Sequence, residues 1–190
     1  MSRTGISELR VPELDELPQG LQDQISDITE QLGHTPNWIR AIALGGEHTE
    51  RFTSYLLGLL DPSQGRLPHV DREVLATVTS AENGCSYCRL NHAGSLGDAL
   101  GDHRLGARVS LDYREVPELS ERHRVLAEFA AALTHDPRSA TDEHIAHLRG
   151  LGLDDEEIYE AAQVVSAFAA ANRFTIFLRV TPDEEFFGAG

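Results

Sequence analysis

Residues 68–100, PHVDREVLATVTSAENGCSYCRLNHAGSLGDAL, decide how this chain is read. Val70, Val74, Val78 and Ala81 recur at helical spacing behind Pro68, the pattern breaks at Asn83-Gly84, and a second helix runs from about Gly84 to Leu100. Two helices joined by so short a break fold back on one another as a hairpin. The second opens on Cys85-Ser86-Tyr87-Cys88 and carries His92 one turn further on.

Working outward, the period stays helical and no sustained two-residue alternation argues for a sheet, so the fold class is all-α, a bundle of about eight helices. Leu21, Ile25, Ile28 and Leu32 make one stripe between Pro18 and Gly33. A short helix from Pro36 carries Trp38, Ile39 and Ile42, and a third after Gly45-Gly46 presents Phe52, Tyr55, Leu56 and Leu59 before Asp61-Pro62. Beyond the hairpin, 101–119 reads mostly as loop with a short turn near 105–109. Ser120 caps a helix through Leu133 and Thr141 one through Leu148. Asp154 with Glu157 starts a long last helix through Ile176, in which Phe174 to Leu178 continue the helical stripe. The pattern predicts one all-helical domain over 1–190, with an N-terminal layer (18–61), a Cys-x-x-Cys core (62–100) and C-terminal helices (120–181). The helix, Gly-containing break and helix of 68–100 recurs in pattern only at 141–178.

The chain has 190 residues, long enough to bury a core without disulfide staples. Sixteen basic residues, all arginine, face 31 acidic ones for a net charge of −15, which repels phosphate backbones and anionic lipid and argues against nucleic-acid partners. Without lysine, Schiff-base and P-loop-lysine chemistry is excluded. No run of apolar residues is long and uninterrupted enough to suggest a membrane span, and the acidic N-terminus carries no signal-peptide core, so a cytoplasmic location and no membrane partner are expected. In such a reducing compartment two cysteines three apart read as redox-active or metal-binding.

On a helix turning about 100° per residue, Cys85, Cys88 and His92 share an arc of about 60°, and Cys88 and His92 are neighbours on consecutive turns. Cys85 sits at the helix N-terminus, where unpaired N–H groups favour a thiolate. Glu73 lies ten residues before the break and His92 eight after it, so folding the hairpin brings them level. Glu73 falls on the border of its apolar stripe, where partial desolvation suits a proton acceptor. Lowering a thiol from about 8.5 to about 6.5 raises its thiolate fraction about 25-fold, but lost nucleophilicity returns about 8-fold of that. The net gain is about threefold, so useful chemistry must draw on positioning and proton delivery as well.

The spacing of Glu73, Cys85, Cys88 and His92 resembles the active-site pattern of the alkyl hydroperoxidase D family, within the wider carboxymuconolactone decarboxylase-like group. The helical pattern around it, with Pro36-Asn37 and the Leu153-to-Arg179 segment, is similar to the peroxidase-related branch. The resemblance implies an all-α peroxidase of antioxidant defence in which Cys88 attacks the O–O bond of hydrogen peroxide or an alkyl hydroperoxide. Cys85 then resolves the sulfenic acid to a disulfide, and Glu73 and His92 relay protons. It further implies no cofactor or metal, a dithiol reductant that in some members is a lipoyl-bearing protein, and a homo-oligomer, trimer or hexamer. The family's histidine between the cysteines is here Tyr87, a poorer proton carrier at pH 7 and an auxiliary candidate.

Three other readings stand beside this one. The same pair serves general thiol–disulfide exchange. A zinc-holding, non-enzymatic helical module would use Cys85, Cys88 and His92 with His69 or Glu73 as fourth ligand. Lactone-acid decarboxylation does not need a cysteine pair. His144 and His147 have metal spacing but no third ligand, Asp183 to Glu185 read as a solvated tail, and Trp38, Phe168 and the late phenylalanines as core or interface residues.

Overall fold

The computed structural model describes residues 5–188. Among them the regular structure is helical throughout: α1 (Gln19–Leu32), α2 (Asn37–Ile42), α3 (Glu47–Leu60), α4 (His69–Glu82), α5 (Ser86–Leu100), α6 (His103–Asp112), α7 (Glu121–His135), α8 (Asp142–Gly150) and α9 (Asp155–Leu178), with short 3₁₀ turns between. The starts follow local chemistry. Pro18, Pro36 and Pro68 stand at the N-caps of α1, α2 and α4, where a fixed φ preorganises the first turn. Ser120 accepts the His123 N–H, and Asp154 and Glu157 close a reciprocal capping box on α9.

The expectation for 101–119 fails. The segment 101–119 is not mostly loop but holds α6, a helix of 10 residues, followed by a 3₁₀ turn at Tyr113–Glu115. Asp102 caps it by accepting the Leu105 N–H at 3.0 Å. Its apolar stripe is thin, and Gly106 makes it a poor helix former on paper. That glycine serves tertiary packing: a Cβ there would lie 2.5 Å from the Ala93 carbonyl oxygen and 2.6 Å from the Gly97 nitrogen, so α6 crosses α5 with backbones nearly touching.

Helix α4 is the centre. Every residue from Asp71 to Ser80 is buried, against α5, α6, α7 and α9. The larger apolar cluster holds Val74, Leu75, Val78, Leu126, Val164 and Phe168; burying a side chain of this size stabilises by about 1.5–3 kcal/mol. Several polar groups inside are paired, although Thr79 Oγ1 and Thr134 Oγ1 have no hydrogen-bond partner among the described residues. Asn172 on α9 donates to the Thr79 carbonyl at 3.3 Å and accepts from Ser80. Arg72, 1% exposed, donates to the Leu59 and Asp61 carbonyls at the end of α3. By length and composition α9 could cross a membrane, but half of its most apolar window is buried inside the fold.

A smaller apolar cluster joins Leu21, Ile25, Ile39 and Ile42 of the N-terminal layer to Cys85, Tyr87 and Cys88, with Leu178 and Val180. After α9 stops at Arg179, the one non-glycine residue of positive φ (50°) among those described, the chain runs beside the N-terminal segment: Glu8 N–H donates to Leu178 O and Thr181 N–H to Ile6 O. The acids that follow are not simply a solvated tail. Asp183 is 3% exposed because its carboxylate accepts hydrogen bonds from the Asn37 N–H (2.8 Å) and the Tyr87 hydroxyl (2.5 Å).

Candidate active site

The α4–α5 hairpin turns at Gly84, whose φ of 70° suits glycine, and the Cys85 N–H closes the turn on the Ser80 carbonyl at 3.0 Å. Cys85 is thereby set as the N-cap of α5, its Sγ accepting the Cys88 N–H at 3.3 Å. The two cysteines, Cα atoms 5.4 Å apart, are joined as a disulfide. Both are buried, at 1% exposure for Cys85 and 6% for Cys88.

One turn on, His92 meets Glu73. Nδ1 lies 3.1 Å from Oε2, and both side chains are buried. With Glu73 ionised, Nδ1–H is the donor, which leaves Nε2 as the nitrogen able to accept a proton. The imidazole meets the Phe168 ring edge-on at 4.6 Å, and the His92 backbone is fixed by Thr77, whose hydroxyl donates to the His92 carbonyl. His69, expected only as a zinc ligand, instead places Nε2 3.9 Å from the other Glu73 oxygen and is partly exposed. Among the described residues no group of three or more His, Cys, Asp or Glu is arranged to hold a metal ion. His144, the third residue of α8, closes the capping box with the N-cap Thr141, its Nδ1 accepting the Thr141 N–H.

Cys88, Tyr87 and His92 line one side of a cavity of about 270 Å³, faced by Trp38, Leu56 and Phe168; Cys85 is not part of its wall. Tyr87 is fixed within it. Its hydroxyl donates to Asp183 and accepts from the Trp38 N–H at 3.4 Å, and its ring meets Phe186 edge-on at 5.2 Å. Burial first, and the Asp183 carboxylate second, push the phenol far above its ordinary value, so it stays protonated. Asp183 is the site residue that sequence reasoning missed. Its one signal is the Pro182-Asp183 pair after a long helix, which reads equally well as a solvated end. A larger apolar groove of about 410 Å³, between Ile42, Phe52, Phe174 and Phe177, contains none of the candidate residues.

Fold and site together define an all-helical protein with a buried Cys-x-x-Cys disulfide set beside a carboxylate–imidazole pair. No family model and no curated protein matches the chain. Solved structures do match. An uncharacterized peroxidase-related protein from Silicibacter is 30% identical with a TM-score of 0.88, the match covering 99% of this chain and 97% of that one. Another from Ralstonia eutropha, described as an alkylhydroperoxidase AhpD core, is 26% identical with a TM-score of 0.89 over 97% and 96%. The debrominase Bmp8, 16% identical with a TM-score of 0.69 over 97% and 95%, shares the fold alone. The chain belongs to the alkyl hydroperoxidase D-like family, beside its peroxidase-related members.

Proposed function

We propose that the protein is a thiol-dependent peroxidase that reduces hydrogen peroxide or alkyl hydroperoxides at Cys88. The observation that carries this is the shared wall: Cys88 and His92 line one cavity, with Glu73 behind the imidazole and Cys85 bonded to Cys88 from outside it. The Cys88 thiolate attacks the terminal peroxide oxygen, the O–O bond breaks, and the alkoxide leaves as alcohol with a proton passed through His92. Glu73 stabilises the imidazolium that forms when His92 takes a proton. The Cys85 thiolate then displaces hydroxide from the Cys88 sulfenic acid, giving the disulfide and, with one proton, water. A dithiol returns two electrons. No bound cofactor or metal enters this scheme.

The mostly apolar walls supply water exclusion rather than charge, so electrostatic work falls on the Glu73–His92 pair. The burial of both sulfurs favours a small peroxide over a bulky protein disulfide as oxidant, which sets this reading above general thiol–disulfide exchange. The exposed Phe174, Ile176 and Phe177 at the end of α9 support assembly with further copies of the chain. The test is turnover of hydrogen peroxide and an alkyl hydroperoxide with a dithiol reductant. Activity is expected for the natural chain and not for Cys88→Ser; equal rates in the two reject the proposal.

A further inference from the structure

Re-reduction poses a question separate from peroxide attack: an incoming thiolate must choose one sulfur of the disulfide, and the other leaves as a thiolate. Two independent features of the site answer it alike.

The first is access. Cys88 stands in the wall of the cavity and is 6% exposed, whereas Cys85 lies outside that wall and is 1% exposed. The second is leaving-group stability. Cys85 occupies the N-cap of α5, and its Sγ already accepts the Cys88 N–H at 3.3 Å. A thiolate released there gains a charge-assisted hydrogen bond and the positive end of the helix dipole. A sulfur with a lower pKa departs faster in thiol–disulfide exchange. Cys88, three residues past the N-cap, lacks the capping position.

We propose that the reductant attacks Cys88, through the same cavity that admits the peroxide, and that Cys85 is the leaving thiolate. This rests on the peroxidase reading only for the origin of the disulfide. In the first step one thiolate of the dithiol bonds to Cys88 Sγ, the Cys85–Cys88 bond breaks, and its electron pair stays on Cys85 Sγ. In the second, the other thiolate of the same reductant attacks the reductant sulfur of the mixed disulfide. It closes the reductant's own disulfide and releases Cys88 as a thiolate. Two electrons pass to the protein, and the two thiol protons of the reductant go to the cysteine pair or to solvent. Peroxide and reductant thus compete for one entrance, and each must leave before the other enters.

The experiment uses the oxidised natural chain and no peroxide. A monothiol such as 2-mercaptoethanol, which cannot close a disulfide of its own, is added briefly; the reaction is quenched in acid, free thiols are alkylated, and fragmentation of the peptide containing both cysteines locates each group. The mixed disulfide is expected on Cys88 and the alkyl group on Cys85, in an excess of about tenfold or more. An adduct mainly on Cys85, or an even split, overturns the proposal. Because no peroxide is involved, an adduct on Cys88 in a protein that does not turn over peroxide counts against the function proposed above and not against this route.

Discussion

Glu73 Oε2 and His92 Nδ1 are 3.1 Å apart, joining the middle of α4 to the second turn of α5 across 19 residues of sequence, with both side chains buried. A buried carboxylate on a ring nitrogen fixes the tautomer and orients the ring, and a proton relay needs both. Glu73→Gln keeps the shape and removes the charge. It is expected to lower kcat/KM for hydroperoxide by roughly 10²-fold or more, the scale of general acid–base catalysis, with the helical circular dichroism unchanged. A loss below about threefold would leave Glu73 without a catalytic part.

The two cysteines should fail differently. Cys85→Ser is expected to react with one equivalent of peroxide and stop at a Cys88 sulfenic acid, seen as an oxygen-sized mass gain or a dimedone adduct. Cys88→Ser should gain neither at that dose. The reverse pattern would exchange the two roles.

Tyr87 and Asp183 form a clasp rather than an acid–base pair. Tyr87→Phe leaves the buried Asp183 carboxylate without the phenol donor, a loss expected to cost about 1–3 kcal/mol in denaturant unfolding. The raised phenol pKa also has a sign. The folded chain keeps this proton where the unfolded phenol, near 10, begins to lose it. The stabilisation is therefore complete below pH ~10 and declines as pH climbs above that. The natural chain should lose stability with alkali more steeply than Tyr87→Phe.

Asp71 works at the other end of the scale. Burial alone would raise its carboxyl, but the His123 imidazole 3.4 Å from Oδ1 and the hydrogen-bonded Arg122 guanidinium outweigh burial and hold it below the ordinary value. Its contribution is present above pH ~3.9 and is lost as pH falls through the lower folded value. Urea unfolding followed from pH 6 to pH 3 should show a shallower acid decline in Asp71→Asn than in the natural chain.

Gly106→Ala tests the packing of α6. The methyl group would meet backbone of α5 at 2.5–2.6 Å, which cannot yield by a side-chain rotation. The local helix gain of about 1 kcal/mol is therefore expected to be overturned by a packing cost of about 1–3 kcal/mol or more, lowering Tm. A higher Tm would mean that the two helices separate freely.

The sequence carried the periodicity, the caps and the hairpin break, and from these follow the all-helical class, the placing of both cysteines and His92 on one arc, and the pairing of Glu73 with His92. Those features are local, or one tight turn removed from local, so residue order and helical geometry suffice. Helix α6 was not legible because its glycine answers to a neighbouring helix and not to its own propensity. Asp183 was not legible because an acid after a proline looks solvated until the chain returns, 96 residues from Tyr87, to pack beside the cysteine turn.

What sequence alone determined, then, is the chemistry within the α4–α5 hairpin: which sulfurs, which imidazole and which carboxylate lie together. Only the tertiary structure decided which sulfur forms the cavity wall, what encloses that cavity and what holds Tyr87, because Trp38, Phe168 and Asp183 arrive from distant elements. Contacts of that range are selected by burial in the assembled core and leave no period in the chain.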